Sequence, residues 1–246
     1  MARGVGADGT LVLARPRYEV IPTKGADDEW VDDLPEEGKV TVTCLPARGI
    51  EGTLRLAERL VKRGFRVVPH ISARLVADKA HVKEIVRRLD NLEVREVFVI
   101  GGDAKKPTGP FSSASELLCA MADVGHGFED IGIGGYPERH PIVDNEALRQ
   151  ALFDKLPFAT YIVSQMCFDP ETILGWVSRI RRQGGGLPVV VGIPGVVDKK
   201  RLFRSPVRSG WETRRGSSRN TRVWWQAFWQ TFSSPVATAR TSWSKS

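Results

Sequence analysis

A chain of 246 residues, 41% hydrophobic and 26% charged, has the composition of an ordinary globular protein, and its length suits one eight-stranded α/β barrel or two smaller domains. No apolar run is long enough to span a bilayer, and the N-terminus MARGVGADGT lacks the apolar core of a secretory signal. Three scattered cysteines (Cys44, Cys119, Cys167) argue against a disulfide framework or a structural metal, so a cytoplasmic protein with reduced thiols is expected.

The elements follow in order. Residues 1–16 read as a loose segment. Arg17 to Pro22 is a short strand, and the charged stretch Lys24 to Glu37 is a loop or irregular helix. Val40 to Cys44 is β-branched and strand-like. Ile50 to Lys62 has helical spacing and stops at Gly64. Arg66 to Ile71 is the next strand. Asp78 then caps a helix with the stripe Val82, Ile85, Val86 and Leu89. Val97 to Ile100 is a continuous apolar run, as in a strand covered on both faces. Gly101-Gly102-Asp103 ends it, and Ser113 with Glu116 fits a capping box. Asp130 to Tyr136 is a strand, and Asn145 to Lys155 a helix. Ala159 to Ser164 is a strand followed by Gln165. Asp169-Pro170 starts a helix that runs to about Arg182, and Leu187 to Val191 is the last clear strand.

Seven strands thus alternate with helices, at a spacing of roughly 25–35 residues. Polar residues cluster at many strand ends: Glu19, Thr43, His70, Asp103, Glu138, His140 and Gln165. A doubly wound sheet would gather them at one switch point, whereas a barrel brings every strand end to one mouth. The fold class expected is therefore α/β, a (β/α)8 TIM barrel over residues 17–204. No nucleophile triad, P-loop or Rossmann glycine pattern is present. Carboxylates, amides and imidazoles around a mouth suit a bound cofactor and a general acid. Each residue also has a plainer reading. Asp103 can be a turn residue, His70 a core histidine, and Gln165 a partner for barrel backbone.

In this order, the pieces Tyr18-Glu19-Val20-Ile21-Pro22, Val42-Thr43, Pro69-His70, Gly102-Asp103, Tyr136-Pro137-Glu138-Arg139-His140-Pro141 and Gln165-x-x-Phe168-Asp169 resemble the methylenetetrahydrofolate reductase family. The resemblance covers about residues 18–204. It implies an oxidoreductase of one-carbon metabolism and methionine biosynthesis, acting on CH–NH donors. Such an enzyme reduces 5,10-methylenetetrahydrofolate to 5-methyltetrahydrofolate with NAD(P)H through FAD. It also implies that Glu19 is the general acid and that Asp103 sits between flavin and pterin. Gln165, with Glu19, would bind the folate. Thr43, His70, Gly102, Asp103, Ser113, Ala114, Tyr136, His140 and Lys155 would line the cofactor site. Three positions depart from the family. Gly101 stands where the family has Arg, Ser113 where it has a Tyr over the flavin, and Lys155 matches a helix Lys only loosely. All three weaken FAD binding, which leaves direct hydride transfer from NAD(P)H as the other route.

After Arg204 the pattern changes. From there to Ser246, eight basic residues face Glu212 alone, so this stretch carries the whole net charge of +7. It also holds five of the seven tryptophans and shows no helical or strand period. Arg, Ser, Trp and Gly enrichment is what GC-rich coding DNA gives when read out of frame. The expectation is a frameshift near codon 204, an atypical tail over 205–246, and a barrel missing its eighth strand with two open edges. A native basic tail that binds nucleic acid is the alternative. Other functions in view are a catalytically impaired barrel used for interaction, and a pterin- or cobalamin-linked methyl-transfer accessory protein. No membrane partner is expected, and the oligomeric state stays open.

Overall fold

The computed structural model describes residues 16–22, 38–138, 143–167, 169–193 and 228–232. Its strands are β1 (Arg17–Val20), β2 (Lys39–Val42), β3 (Arg66–Ser72), β4 (Glu96–Ile100), β5 (Asp130–Gly135), β6 (Tyr161–Ser164), β7 (Val189–Ile193) and β8 (Phe228–Phe232). The helices are α1 (Gly49–Lys62), α2 (Lys79–Asn91), α3 (Ala114–Val124), α4 (Asn145–Phe153) and α5 (Pro170–Arg182). The first seven strands pair in sequence order and in parallel, forming the curled sheet of an incomplete TIM barrel. The stretch Lys24 to Glu37 lies outside the described residues.

The helices start where the sequence provides caps. Asp78 accepts from the His81 amide at α2, Asp144 from Glu146 and Ala147 at α4, and Asp169 from Glu171 at α5. Ser113 and Glu116 form the complete capping box of α3. Strands β3, β4, β6 and β7 are largely apolar on both faces because each face packs. Val97, Val99, Ile131, Ile133, Ile162 and Val189 join α2, α3 and α5 in the outer core. Val68, Phe98, Tyr161, Val163 and Val190 meet one another on the concave face. Space on that face is tight. Gly132 pairs with Tyr161, and a Cβ on Gly132 would lie 2.4 Å from the Tyr161 ring.

The eighth strand differs from the expectation that the tail is patternless and the barrel edge bare. Phe228–Phe232 runs antiparallel to β7, from Val189↔Phe232 to Ile193↔Phe228, and its backbone also approaches β1. An exposed strand edge is a row of unmet hydrogen-bonding groups, and the run FWQTF is rich in β-forming residue types, so pairing there satisfies β7. No β8–β1 ladder forms among the described residues, so the ring is not closed by hydrogen bonds.

Two groups on the concave face set stability. Glu96 accepts from Arg17 at 2.6 Å and also pairs with Lys39. Burial raises the Glu96 pKa, but the charges of Arg17 and Lys39 outweigh it and hold the carboxyl below its ordinary value. Replacing Glu96 by Gln leaves two part-buried cations without their anion, and should cost about 3 kcal/mol in urea unfolding. An unchanged midpoint would show the cations already solvated. His70 is 6% exposed against Phe98, ring centroids 4.6 Å apart, and burial drives its pKa down to about 3. The unfolded chain takes up this proton near pH 6.5 and the native chain only near pH 3, so stability falls as pH drops from about 6.5 toward about 3, by at most ~1.4 kcal/mol per pH unit. Unfolding of wild type and His70→Gln at pH 7.5, 6.5 and 5 checks this, with a flatter profile expected for the variant.

Candidate active site

The carboxyl ends of β1 to β6 gather most of the residues singled out by sequence. Glu19 is half-buried on β1, in register with Thr41. Thr43 follows β2 directly. Its amide and its hydroxyl both donate to the Val20 carbonyl, at 2.9 and 3.1 Å, and its own carbonyl accepts from Thr53 Oγ1 at 2.9 Å. Thr43 thereby ties the ends of β1 and β2 together beside Glu19. His70 sits lower, inside the barrel, where it shares a small cavity with Arg17, Thr41, Phe98, Tyr161 and Val163. Its neutral imidazole can hydrogen-bond but carries no charge at physiological pH.

Beyond β4 the chain makes its sharpest turn. Gly102 has φ +89°, and a Cβ there would lie 1.9 Å from Ser72 Oγ, so only glycine fits. The turn carries Asp103 out to an exposed position. On the adjacent strand, Tyr136 follows β5, with its hydroxyl 4.0 Å from where a Gly134 Cβ would be. Burial raises the Tyr136 pKa, and the nearby Asp103 carboxylate raises it further. The phenol therefore stays protonated and able to donate a hydrogen bond. Gln165 follows β6. Its amide donates to the Gly135 carbonyl at 2.6 Å and its side chain is exposed.

Other predicted residues have structural work. Ser113 caps α3 and its hydroxyl also meets Ser115 Oγ at 3.0 Å; Ala114 is buried. Lys155 is 8% exposed and donates from Nζ to the Gly134 carbonyl at 2.9 Å; burial lowers its pKa to about 8. It holds the β5 backbone under Tyr136. His140, with Arg139 and Pro141, lies outside the described residues. Around Gly101 there is room: among the described residues, the nearest atom to a Cβ there is the Ala114 amide nitrogen at 4.0 Å.

Sequence reading missed Arg74, Ser72 and the Arg17–Glu96–Lys39 cluster. Arg74 is the one charged residue in the run His70–Val76, which was the available signal. The partners of its guanidinium lie 30 to 38 residues further along the chain, which no local pattern exposes.

The strand ends thus bring Thr43, Asp103, Tyr136 and Gln165 to the same end of the sheet, with open space at Gly101. The described mouth offers no arginine at position 101 for a diphosphate. Among the described residues no helix is long and apolar enough to cross a membrane.

Two curated relatives are similar to parts of this chain. Methylenetetrahydrofolate reductase 2 of Saccharomyces cerevisiae is 29% identical over 89 residues, which is 35% of this chain and 15% of that protein. Methylenetetrahydrofolate reductase 1 of Schizosaccharomyces pombe is 27% identical over 116 residues, 44% of this chain and 19% of that protein. The matched stretches thus span under a fifth of either relative. The methylenetetrahydrofolate reductase family model matches residues 36–210, and with strand-end residues in the order just described, the chain belongs to the methylenetetrahydrofolate reductase family.

Proposed function

We propose that this protein reduces 5,10-methylenetetrahydrofolate to 5-methyltetrahydrofolate at the expense of NAD(P)H. The observation that carries the reading is the gathering of Glu19, Asp103, Tyr136 and Gln165 at the carboxyl ends of β1, β4, β5 and β6 in a family-type barrel. Gln165 presents an amide that can both donate to and accept from a pterin edge. Glu19 gives its proton to N10 of the folate imidazolidine ring. The bond from N10 to the methylene carbon then breaks, leaving an iminium at N5. A hydride joins that carbon and yields the methyl group. Asp103 stabilises the cationic iminium, with the Tyr136 phenol close enough to feel its charge. Thr43 fixes the strand ends that carry Glu19.

Thr43, Gly102, Asp103, Tyr136 and, by position, His140 would hold a flavin, which when bound supplies the hydride relay from NAD(P)H. His70 would act on it from below as a neutral group, and Lys155 through the Gly134 backbone. Ser113 and Ala114 would border it at the α3 start. The missing arginine at Gly101 favours a second reading, a site that works with loosely held flavin or takes hydride directly from the nicotinamide. Residues 205–246 lie almost wholly beyond the family match, which ends at residue 210, and we read them as a departure from the family barrel. A cytoplasmic location accompanies this reading.

Glu19→Gln should slow folate-dependent NAD(P)H oxidation by about 10²–10⁴-fold, while leaving oxidation by a folate-independent electron acceptor near wild type. Equal losses in both assays would remove Glu19 from the folate step. Gly101→Arg should tighten FAD binding about tenfold or more in an absorbance titration, as one charge-assisted contact to phosphate allows. No tightening would place the FAD phosphates elsewhere, or show that FAD does not bind.

A further inference from the structure

Asp103 stands on a segment without regular structure, residues 101–113 between β4 and α3. One residue on the neighbouring strand end grips that whole segment. Arg74 lies in the 3-10 turn Ala73–Leu75 that follows β3. Its Nε donates to the Ala104 carbonyl at 2.6 Å, one terminal nitrogen to Lys105 at 2.9 Å, and the other to Ser112 at 3.2 Å. Its backbone adds two more bonds. The Arg74 amide donates to the Gly101 carbonyl at 3.1 Å, and its carbonyl accepts from the Thr108 amide at 2.9 Å. The grip therefore begins two residues before Asp103, resumes at the residue after it, and ends just before the Ser113 cap.

Two close approaches add to this. Gly102 touches Ser72, and a Cβ on Gly109 would lie 1.8 Å from the Ala77 carbonyl oxygen. The segment is thus seated on the β3 turn on both sides of the guanidinium. Among the described residues, no carboxylate pairs with Arg74. Its side-chain donors go to backbone carbonyls, the arrangement of a clamp rather than of a surface ion pair. Only a planar fork can meet three carbonyls at once, and a lysine ammonium is a single point.

We infer that Arg74 is a positioning residue of the active site, one that sets Asp103 against Tyr136 by fixing the segment that carries it. This rests on the reading of Asp103 as a working group at the mouth. The test uses the full chain with Arg74→Met, Arg74→Lys, Asp103→Asn and the double variant Arg74→Met/Asp103→Asn. The first readout is the titration of Tyr136, followed by NMR of protein carrying 13C at the tyrosine Cζ. Asp103→Asn should lower the Tyr136 pKa by removing the neighbouring charge. Arg74→Met should lower it in the same direction, and the double variant should add nothing. The second readout is turnover with methylenetetrahydrofolate. Arg74→Met and Arg74→Lys should lose about 10²-fold in kcat with little change in KM, the cost of misplacing a catalytic group. In the Asp103→Asn background that loss should vanish. A Tyr136 titration unmoved by Arg74→Met, or losses that multiply in the double variant, would overturn the inference. Should Arg74→Met fail to fold, Arg74→Lys carries the same comparison. Absence of turnover in the wild type would sink the proposed reaction alone, because the Tyr136 titration still decides whether Arg74 places Asp103.

Discussion

The Glu96 carboxylate is the tie on which the curl of this sheet depends. Arg17 on β1 reaches Glu96 on β4 at 2.6 Å. In a flat sheet, three strand spacings would separate those strands by about 14 Å, more than the reach left after the side chains point the same way. The same Arg17 lies 4.5 Å from the centroid of the Tyr161 ring on β6. Five spacings would put β1 and β6 about 24 Å apart on a flat sheet, so this contact exists only because the sheet rolls back on itself. The charges and the curvature therefore require each other. Curvature brings Arg17 and Lys39 to Glu96, and the shared carboxylate offsets one of the two positive charges that the narrow interior holds.

The cluster also separates the two ends of the barrel. Beneath, the charges are paired and packed against Tyr161. In the middle, His70 is held neutral by burial and adds no charge to the Arg17–Lys39–Glu96 cluster beneath it. At the top, Asp103 and Tyr136 follow the adjacent strands β4 and β5, close enough for the Asp103 charge to raise the Tyr136 pKa. This division matches the general separation of stability at the amino ends of barrel strands from chemistry at their carboxyl ends.

The order and parallel pairing of the first seven strands were legible, because each is a short apolar run between recognisable helix caps. Asp78, Ser113 with Glu116, and Asp169 with Pro170 cap as their spacing indicates. The positions of Glu19, Asp103 and Gln165 at strand ends were legible for the same reason. The inward or outward direction of each residue was not, because strands packed on both faces lack the alternation that would reveal it. His70 accordingly reads equally as core or site in sequence, and the fold puts it inside. Glu96 looks like an ordinary charged residue at a strand start, and its burial appears only when β1 and β2 come round to it. The strand at Phe228–Phe232 was missed because its partner, β7, is far away in sequence and supplies most of the reason for it to form.

The departures from the family at Gly101 and Ser113 differ in kind. Gly101 is not in the left-handed region and has open space around its Cβ position, so the backbone does not require glycine there. Gly102, one residue on, is fixed by both its φ and its contact with Ser72. The pair therefore holds one glycine that the turn needs and one that it merely permits. Ser113 is different again, because its hydroxyl is committed to the α3 amides. A tyrosine at that position cannot cap, and losing a cap costs a helix about 1 kcal/mol. The firm helix start that Ser113 provides lies directly after Ser112, the far anchor of the segment gripped by Arg74, so cap and clamp together hold the segment that carries Asp103.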